Sequence, residues 1–351
     1  MKIAIHQNHD VFNHSTSWDN EWISYCIKNK IEYSVVNCFD NDILKILKNF
    51  DVLLWHFNNY SLQEMQYARS ILYSASEIGL RVFPDFNTSW HFDDKVAETL
   101  LLKSIEAPIP KTWTFFTYSS AIEFFKNRCN FPVVVKLKCG SGSNNVKLLN
   151  NENQAKLYAK KMFRNGLKSS PSLLFKVKSN IQSSKNWSTL IRRFYRIPDF
   201  IETFRNANKF SKEKGYVYIQ EFIPNNGYDL KVVVVGEKLS FLAREVRKGD
   251  FRASGGGSIN YNKEYLTEEI RKISFELSEK LGFQSMGYDF VIDKRDNCPK
   301  IVEISYGFSF TAQMELGGHW DKEGIWREES FNAPDEILKN LIEKNIKKGE
   351  A

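Results

Sequence analysis

The sequence predicts a mixed α/β and α+β protein in three units: an N-terminal parallel α/β domain over residues 1–92, a central unit over 93–215 and a C-terminal unit over 216–351. Three observations carry this. Short β-branched strands alternate with amphipathic helices through the first 92 residues. Pro108 and Pro110 then break the chain ahead of a strand and a glycine-rich turn, FPVVVKLKCGSGSNNV from Phe131 to Val146. Near the end, two apolar strands each carry a single carboxylate, Asp289 and Glu303.

In order, Lys2 to His6 reads as a first strand, Asn20 to Lys30 as a helix with Trp22, Ile23, Cys26 and Ile27 on one face, and Glu32 to Asn37 as a second strand. Ile43 to Leu47 is helical, Val52 to His56 a third strand, and Leu62 to Ile78 a long helix before Arg81 to Phe83. His6, His9 and His14 lack a regular ligand spacing and read as a strand end and loop rather than a metal site. Asp93 or Asp94 is suited to cap a helix whose apolar face holds Val96, Leu100, Leu101 and Ile105. Lys95 then sits in its first turn, where a cation opposes the helix dipole and is expected in water unless an anion meets it.

The central unit continues with a strand at Trp113 to Phe115, a helix from Ser120 to Arg128, the strand that delivers Lys136, the glycine turn, a return strand at Val146 to Leu148 and a helix from Asn153 to Phe163. In the turn, Gly140 and Gly142 allow torsions other residues resist, while Ser141, Ser143, Asn144 and Asn145 bring short polar groups that suit an anion. An ordinary hairpin reads the same way. Neither common phosphate loop fits: Lys136 precedes the glycines instead of following them, and no GxGxxG follows the first strand.

Between Lys156 and Gly215 fifteen lysines and arginines face three acids, Asp199, Glu202 and Glu213, so the formal charge of +7 is concentrated there. Leu173, Leu174, Phe175, Trp187, Phe194, Tyr195, Phe200 and Phe204 are interleaved with the cations. A solvated helical insertion fits this tract, and so does a surface for anionic lipid or a phosphate-linked glycan substrate. No nucleic-acid module is recognisable.

The last unit opens with Tyr216 to Ile223, a turn at Pro224 to Gly227 and the strand DLKVVVV from Asp229. Leu239 to Val246 leads into RKGDFRASGGGS, Arg247 to Ser258, too charged and glycine-rich for a core. A helix from Thr267 to Leu281 has Ile270, Ile273, Leu277 and Leu281 at helical spacing, Thr267 as cap and Gly282 as stop. Met286 to Asp293 and Lys300 to Ser305 then pair across an Asp-Asn turn. A carboxylate among buried side chains is costly unless a cation meets it, so Asp289 and Glu303 on neighbouring strands point to a divalent metal; the alternative is that one of them faces solvent. Magnesium accepts two carboxylates and fills its shell with water and phosphate oxygens.

With 351 residues, 42% of them hydrophobic and 14% aromatic, the chain has ample material for two or three cores. No apolar run approaches the roughly 18 residues of a membrane span, and the first residues read as a strand instead of an export leader. Five cysteines, far apart and without a CxxC pair, argue against a disulfide framework and a structural zinc site. A cytoplasmic protein is expected, with the basic tract raising a peripheral place at the inner membrane face.

Together, the helix begun by DDK at Asp93 to Lys95, the VVVK strand with its glycine loop, QEFI (Gln220 to Ile223), GDFR (Gly249 to Arg252) and the two acidic strands resemble, in order and spacing, the ATP-grasp superfamily of carboxylate–amine ligases. The likeness covers about residues 1–310. It implies an ATP-grasp fold in which ATP lies between a central lid domain and a C-terminal catalytic domain, with ATP and Mg2+ as cofactors. By position, it implies that Lys95 and Lys136 contact the phosphates and that Ser141, Gly142, Ser143 and Asn144 close over them. Gln220, Glu221, Phe222 and Ile223 would be the hinge edge that meets adenine, and Asp229 would face the ribose. Asp289 and Glu303 would bind the metal, and Arg252, with Lys136, would act on the transferred phosphoryl group.

The chain departs from the family pattern at Ser305, where Asn usually completes the metal shell, and in the roughly fifty added residues of the basic tract. The resemblance implies an ATP-dependent carboxylate–amine ligase working through an acyl phosphate on small-molecule substrates. The tract directs the expectation toward a sugar acid or a glycan intermediate of surface polysaccharide. His56, Asn58, Trp90 and His91, with Gly255 to Ser258 or Thr311 to Trp320 opposite, are the expected substrate-side residues. A kinase on the same scaffold and a nucleotide-binding protein with little turnover remain the alternatives.

Overall fold

The computed structural model describes residues 1–7, 17–59, 61–140, 145–169, 212–246, 252 and 258–349. His9, His14, Ser141 to Asn144, Gly255 to Gly257 and the basic tract between 170 and 211 lie outside the described residues.

The N-terminal unit runs β1 (Lys2–His6), α1 (Trp18–Lys28), β2 (Glu32–Val36), α2 (Ile43–Leu47), β3 (Val52–Leu54), α3 (Leu62–Glu77) and β4 (Arg81–Phe83). Its four strands form a wholly parallel sheet in the order β2-β1-β3-β4. Ile3, Ala4, Ile5 and Val52 to Leu54 are all fully buried, as strands covered on both faces require. The α1 helix buries Trp18, Trp22 and Cys26, whereas Ile27, expected on the same face, is 63% exposed. One residue beyond Cys26 is a rotation of about 100° off the buried stripe. His6 is buried against Trp55, with Nδ1 accepting the Cys38 amide at 3.1 Å, which makes it a core histidine.

After α4 (Phe86–Ser89) and α5 (Lys95–Ser104), the central unit is built from β5 (Thr112–Phe115), α6 (Tyr118–Asn127), β6 (Val133–Lys136), β7 (Val146–Leu149), α7 (Glu152–Arg164), β8 (Leu167–Lys168), β9 (Lys212–Glu213) and β10 (Val217–Glu221). Its sheet order is β5-β10-β6-β7. The sequence reading opens the last unit at residue 216, but β10 is an inner strand of this central sheet, antiparallel to β5 and β6. Val217 to Gln220 are buried on both faces, which suits an inner position and no edge. The unit has its own core, in which Phe124, Phe125, Val135, Tyr158 and Met162 meet Val217 and Ile219.

The C-terminal unit comprises β11 (Tyr228–Val235), β12 (Lys238–Glu245), β13 (Ile259–Asn260), α8 (Glu268–Leu281), β14 (Ser285–Ile292), β15 (Pro299–Ser305), α9 (Phe310–Met314), β16 (His319–Asp321), β17 (Trp326–Arg327) and α10 (Ala333–Gly349). Its antiparallel sheet runs β15-β14-β11-β12-β16-β17, with β13 added beside β12. Thr267 caps α8 through the Ile270 amide, and Gly282 ends it. The first and last units share one apolar core: Trp22 Nε1 donates to Pro334 O at 3.0 Å, and the Tyr306 hydroxyl donates to Phe57 O. The central unit thus stands apart as a separate body over the strands of the last one. Among the described residues no helix is long and apolar enough to cross a membrane.

Candidate active site

A cleft opens where the central sheet faces the C-terminal sheet. It is lined by Val134, Lys136 and Val146 from the first, by Gln220 to Ile223, and by Asp229, Arg252, Asp289, Val291, Val302 and Glu303 from the second. Its empty space, counting the part open to solvent, is about 700 Å³.

The floor is one polar row laid across four strands. Asp229 and Lys231 share a face of β11 because strand side chains alternate. Asp229 pairs in register with Arg244 on β12, Lys231 with Asp289 on β14, and Asp289 with Glu303 on β15. The Arg244 guanidinium holds Asp229 at 2.6 and 2.9 Å and reaches Asp289 at 3.1 Å, while Lys231 Nζ stands 2.6 Å from the other Asp289 oxygen. Burial pushes the Asp229 carboxyl up to about 6 even with Arg244 beside it. Asp289 is equally buried, yet Arg244 and Lys231 overcome that cost and keep its carboxyl below the usual range. Gly287, two residues before Asp289, leaves room for β15 beside it: a Cβ there would lie 3.0 Å from Ser305 O.

The opposite wall supplies cations. Lys136, buried at the end of β6, donates from Nζ to Val302 O at 2.9 Å. Burial lowers its ammonium to about 8, opposed by Glu303. Lys95 does not point into water as its place in the first turn of α5 suggests. It is 4% exposed, and its Nζ meets Glu303 at 3.4 Å and Gly140 O at 2.8 Å. Burial acts against its charge, but Glu303, Glu98 and Asp93 prevail and hold it above an ordinary lysine. Asp94 is the cap of α5, accepting from the Val96 and Ala97 amides, which frees Asp93 for another task described below.

At the hinge, Gln220 Nε2 lies 3.4 Å from Thr112 Oγ1 and Glu221 pairs with Arg295 at 2.7 Å. Ser305 follows Glu303 on the same face of β15, with its hydroxyl bonded to the main chain of Gly307. Among the described residues no group of three or more His, Cys, Asp or Glu side chains converges as a ready-made metal cage. Asp229 and Glu221 are paired with Arg244 and Arg295, and the adjacent carboxylates Asp289 and Glu303 are what the lining offers a cation. That donor set suits magnesium, which keeps waters and phosphate oxygens in its shell.

Sequence reasoning did not single out Lys231, Arg244 or Glu98. For the first, the D-L-K spacing was a signal, because residues two apart on a strand share a face. Glu98 lies buried behind Lys95, with its carboxyl pushed up to about 8 by burial and by Glu303, and nothing in the periodicity of α5 marks it. The substrate-side expectation needs correction at His91. Its ring is fully buried against Phe283, and both ring nitrogens lack a hydrogen-bond partner. His56 stacks on Trp18 at 4.2 Å, and burial lowers its imidazole to about 3. Trp18 in turn meets Phe308 and Phe310 edge-on, so the first and last units do face each other here. Gln313 and Trp320 are buried in the C-terminal unit.

Residues 201–317 match the RimK-like ATP-grasp domain. The chain is 20% identical over 272 residues to the alpha-aminoadipate--LysW ligase LysX of Saccharolobus solfataricus, a match spanning 76% of this chain and 80% of that protein. It is 34% identical over 93 residues to a probable alpha-L-glutamate ligase of Coxiella burnetii, covering 25% of this chain and 30% of the relative. Across 100% of its length it superimposes on 99% of the D-alanine--D-alanine ligase of Bacillus anthracis complexed with ATP, with a TM-score of 0.57 at 15% identity.

Proposed function

We propose, for a chain with the ATP-grasp fold and a RimK-like ATP-grasp domain over residues 201–317, that it is an ATP-dependent ligase joining a carboxylate to an amine. The observation that carries this reading is the pairing of Asp289 with Glu303 on adjacent strands, with the buried cation Lys136 facing them across the cleft and Lys95 Nζ 3.4 Å from Glu303. Charge of both signs is held in place before any ligand arrives. Phosphoryl transfer requires that arrangement, since it builds negative charge that fixed cations must neutralise without moving.

ATP would phosphorylate the carboxylate with release of ADP, the amine would then displace phosphate from the acyl phosphate to form the amide, and bound Mg2+ would neutralise phosphate oxygens. In this reading Asp289 and Glu303 hold the metal, with Ser305 next in line as a weaker oxygen donor. Lys231 and Arg244 keep Asp289 ionised and aimed. Lys136 and Lys95 bind phosphate oxygens, Ser141 to Asn144 cover them, and Arg252 stabilises the transferred group. Gln220 to Ile223, which line the cleft, form the hinge edge toward adenine, with Asp229 toward the ribose.

The relatives are named for ligating alpha-aminoadipate or glutamate, which favours an amino acid as one substrate. A sugar acid or surface glycan, expected from the basic tract, draws no support from these names, and neither does a membrane partner. The test is a matrix of carboxylates against amino acids, read as ADP release and as amide by mass spectrometry. Turnover that needs both substrates supports the ligase. ADP release beyond one equivalent per protein with no amine present points to the kinase alternative.

A further inference from the structure

Every main-chain polar group of three consecutive residues at the root of the glycine turn is hydrogen-bonded, and the three amides are all held by groups outside the turn. The Lys138 amide donates to Glu213 Oε2 at 2.8 Å and lies 2.6 Å from the Tyr216 hydroxyl, the Cys139 amide donates to Glu213 Oε1 at 3.1 Å, and the Gly140 amide donates to Asp93 Oδ1 at 2.8 Å. The carbonyls are met as well: Lys138 O by the Lys95 amide at 3.0 Å, Cys139 O by Asn145 Nδ2 at 3.0 Å, and Gly140 O by Lys95 Nζ at 2.8 Å. An irregular segment at a cleft usually leaves such groups to water. Here they are tied to two carboxylates far away in sequence.

Glu213 is placed for this by its surroundings. It belongs to β9, which pairs with β8 through Leu167 and Lys168. Gly166 lets that strand come close: a Cβ there would stand 2.7 Å from Glu213 O. The Tyr216 hydroxyl donates to Glu213, orienting the carboxylate, and the Gly215 amide donates to Met162 O at 3.0 Å. Asp93 is steadied in turn by Asn59 Nδ2 at 3.2 Å. Two neighbouring N–H groups need two acceptor atoms on one rigid fork. A carboxylate supplies both, whereas a glutamine would set its own N–H2 against one of the donors.

We propose that Glu213 is a positioning residue for triphosphate binding: it pins residues 138 and 139, beside Asp93 on 140, so that Lys136 and the segment 138–140 that follows it are held in register with the cleft. This rests on the nucleotide-binding reading above. The acid sits outside the cleft lining, so its effect on ATP runs through residues 138 to 140.

The test compares wild type with Glu213→Gln in the full chain, with Tyr216→Phe as a milder second variant should the first fail to fold. Hydrogen exchange without nucleotide is expected to show faster exchange at the Lys138 and Cys139 amides. Calorimetry with ATP and Mg2+ should show affinity reduced by about tenfold, the worth of one charge-assisted hydrogen bond, while adenosine binds as in wild type. Equal losses for adenosine and ATP, or a variant that binds ATP as wild type does, overturn the role given to Glu213. A wild-type protein that binds no ATP at all overturns the nucleotide reading itself, a result the exchange measurement distinguishes from failure of the pin.

Discussion

Lys95, in the first turn of α5, reaches across to Glu303 on β15 at 3.4 Å while donating to Gly140 O at 2.8 Å. One ammonium thus ties the root of the glycine turn to a carboxylate of the C-terminal sheet. Because Lys95 is buried, removing it strands charge. Lys95→Met is expected to destabilise the nucleotide-free protein by about 3 kcal/mol in urea unfolding. Adding Glu303→Gln should restore part of that loss, so the double variant is more stable than the two single effects predict.

Lys136 fills its site differently, with Nζ on the Val302 carbonyl. Lys136→Met leaves a neutral chain that still packs in the cleft, so stability should change by less than about 1.5 kcal/mol. ATP affinity measured by calorimetry should fall by about 2–4 kcal/mol, the range for removing one fixed phosphate cation. A variant with wild-type affinity would remove Lys136 from the phosphate site.

Ser305 tests the metal shell. Its hydroxyl is engaged with the Gly307 main chain, which leaves it a weaker donor than the two carboxylates. With Ser305→Asn, the Mg2+ concentration giving half-maximal ATP binding is expected to fall by about threefold to tenfold, because an amide oxygen is a better ligand than a hydroxyl engaged elsewhere. Glu303→Gln should raise it beyond the measurable range.

His91 sets an acid limit on stability. Burial lowers its imidazole to about 4, against an ordinary value near 6.5, and both ring nitrogens are unpartnered. As pH falls, the unfolded chain takes up the proton first. The contribution is therefore fully present above about pH 6.5 and is lost as pH falls through 4, about 3 kcal/mol in all. His91→Leu, which removes two unsatisfied buried atoms at similar volume, should be more stable than wild type at pH 7 and should flatten the decline between pH 6.5 and 4. Chemical denaturation at a series of pH values reads both effects.

Local pattern determined a good deal of this molecule. Strand–helix alternation specified the parallel sheet of residues 1–92, Thr267 and Gly282 bounded α8, and interruption of two apolar strands by Asp289 and Glu303 located the acid pair. Those features depend on neighbours a few residues apart, so the chain alone displays them. Which unit β10 joins, what Lys95 meets, and why Glu213 matters to a turn seventy-odd residues earlier were decided only by tertiary structure. Each of those depends on the energy of a buried charge or amide, which is set by the partner that folding brings to it and not by the residues beside it in sequence.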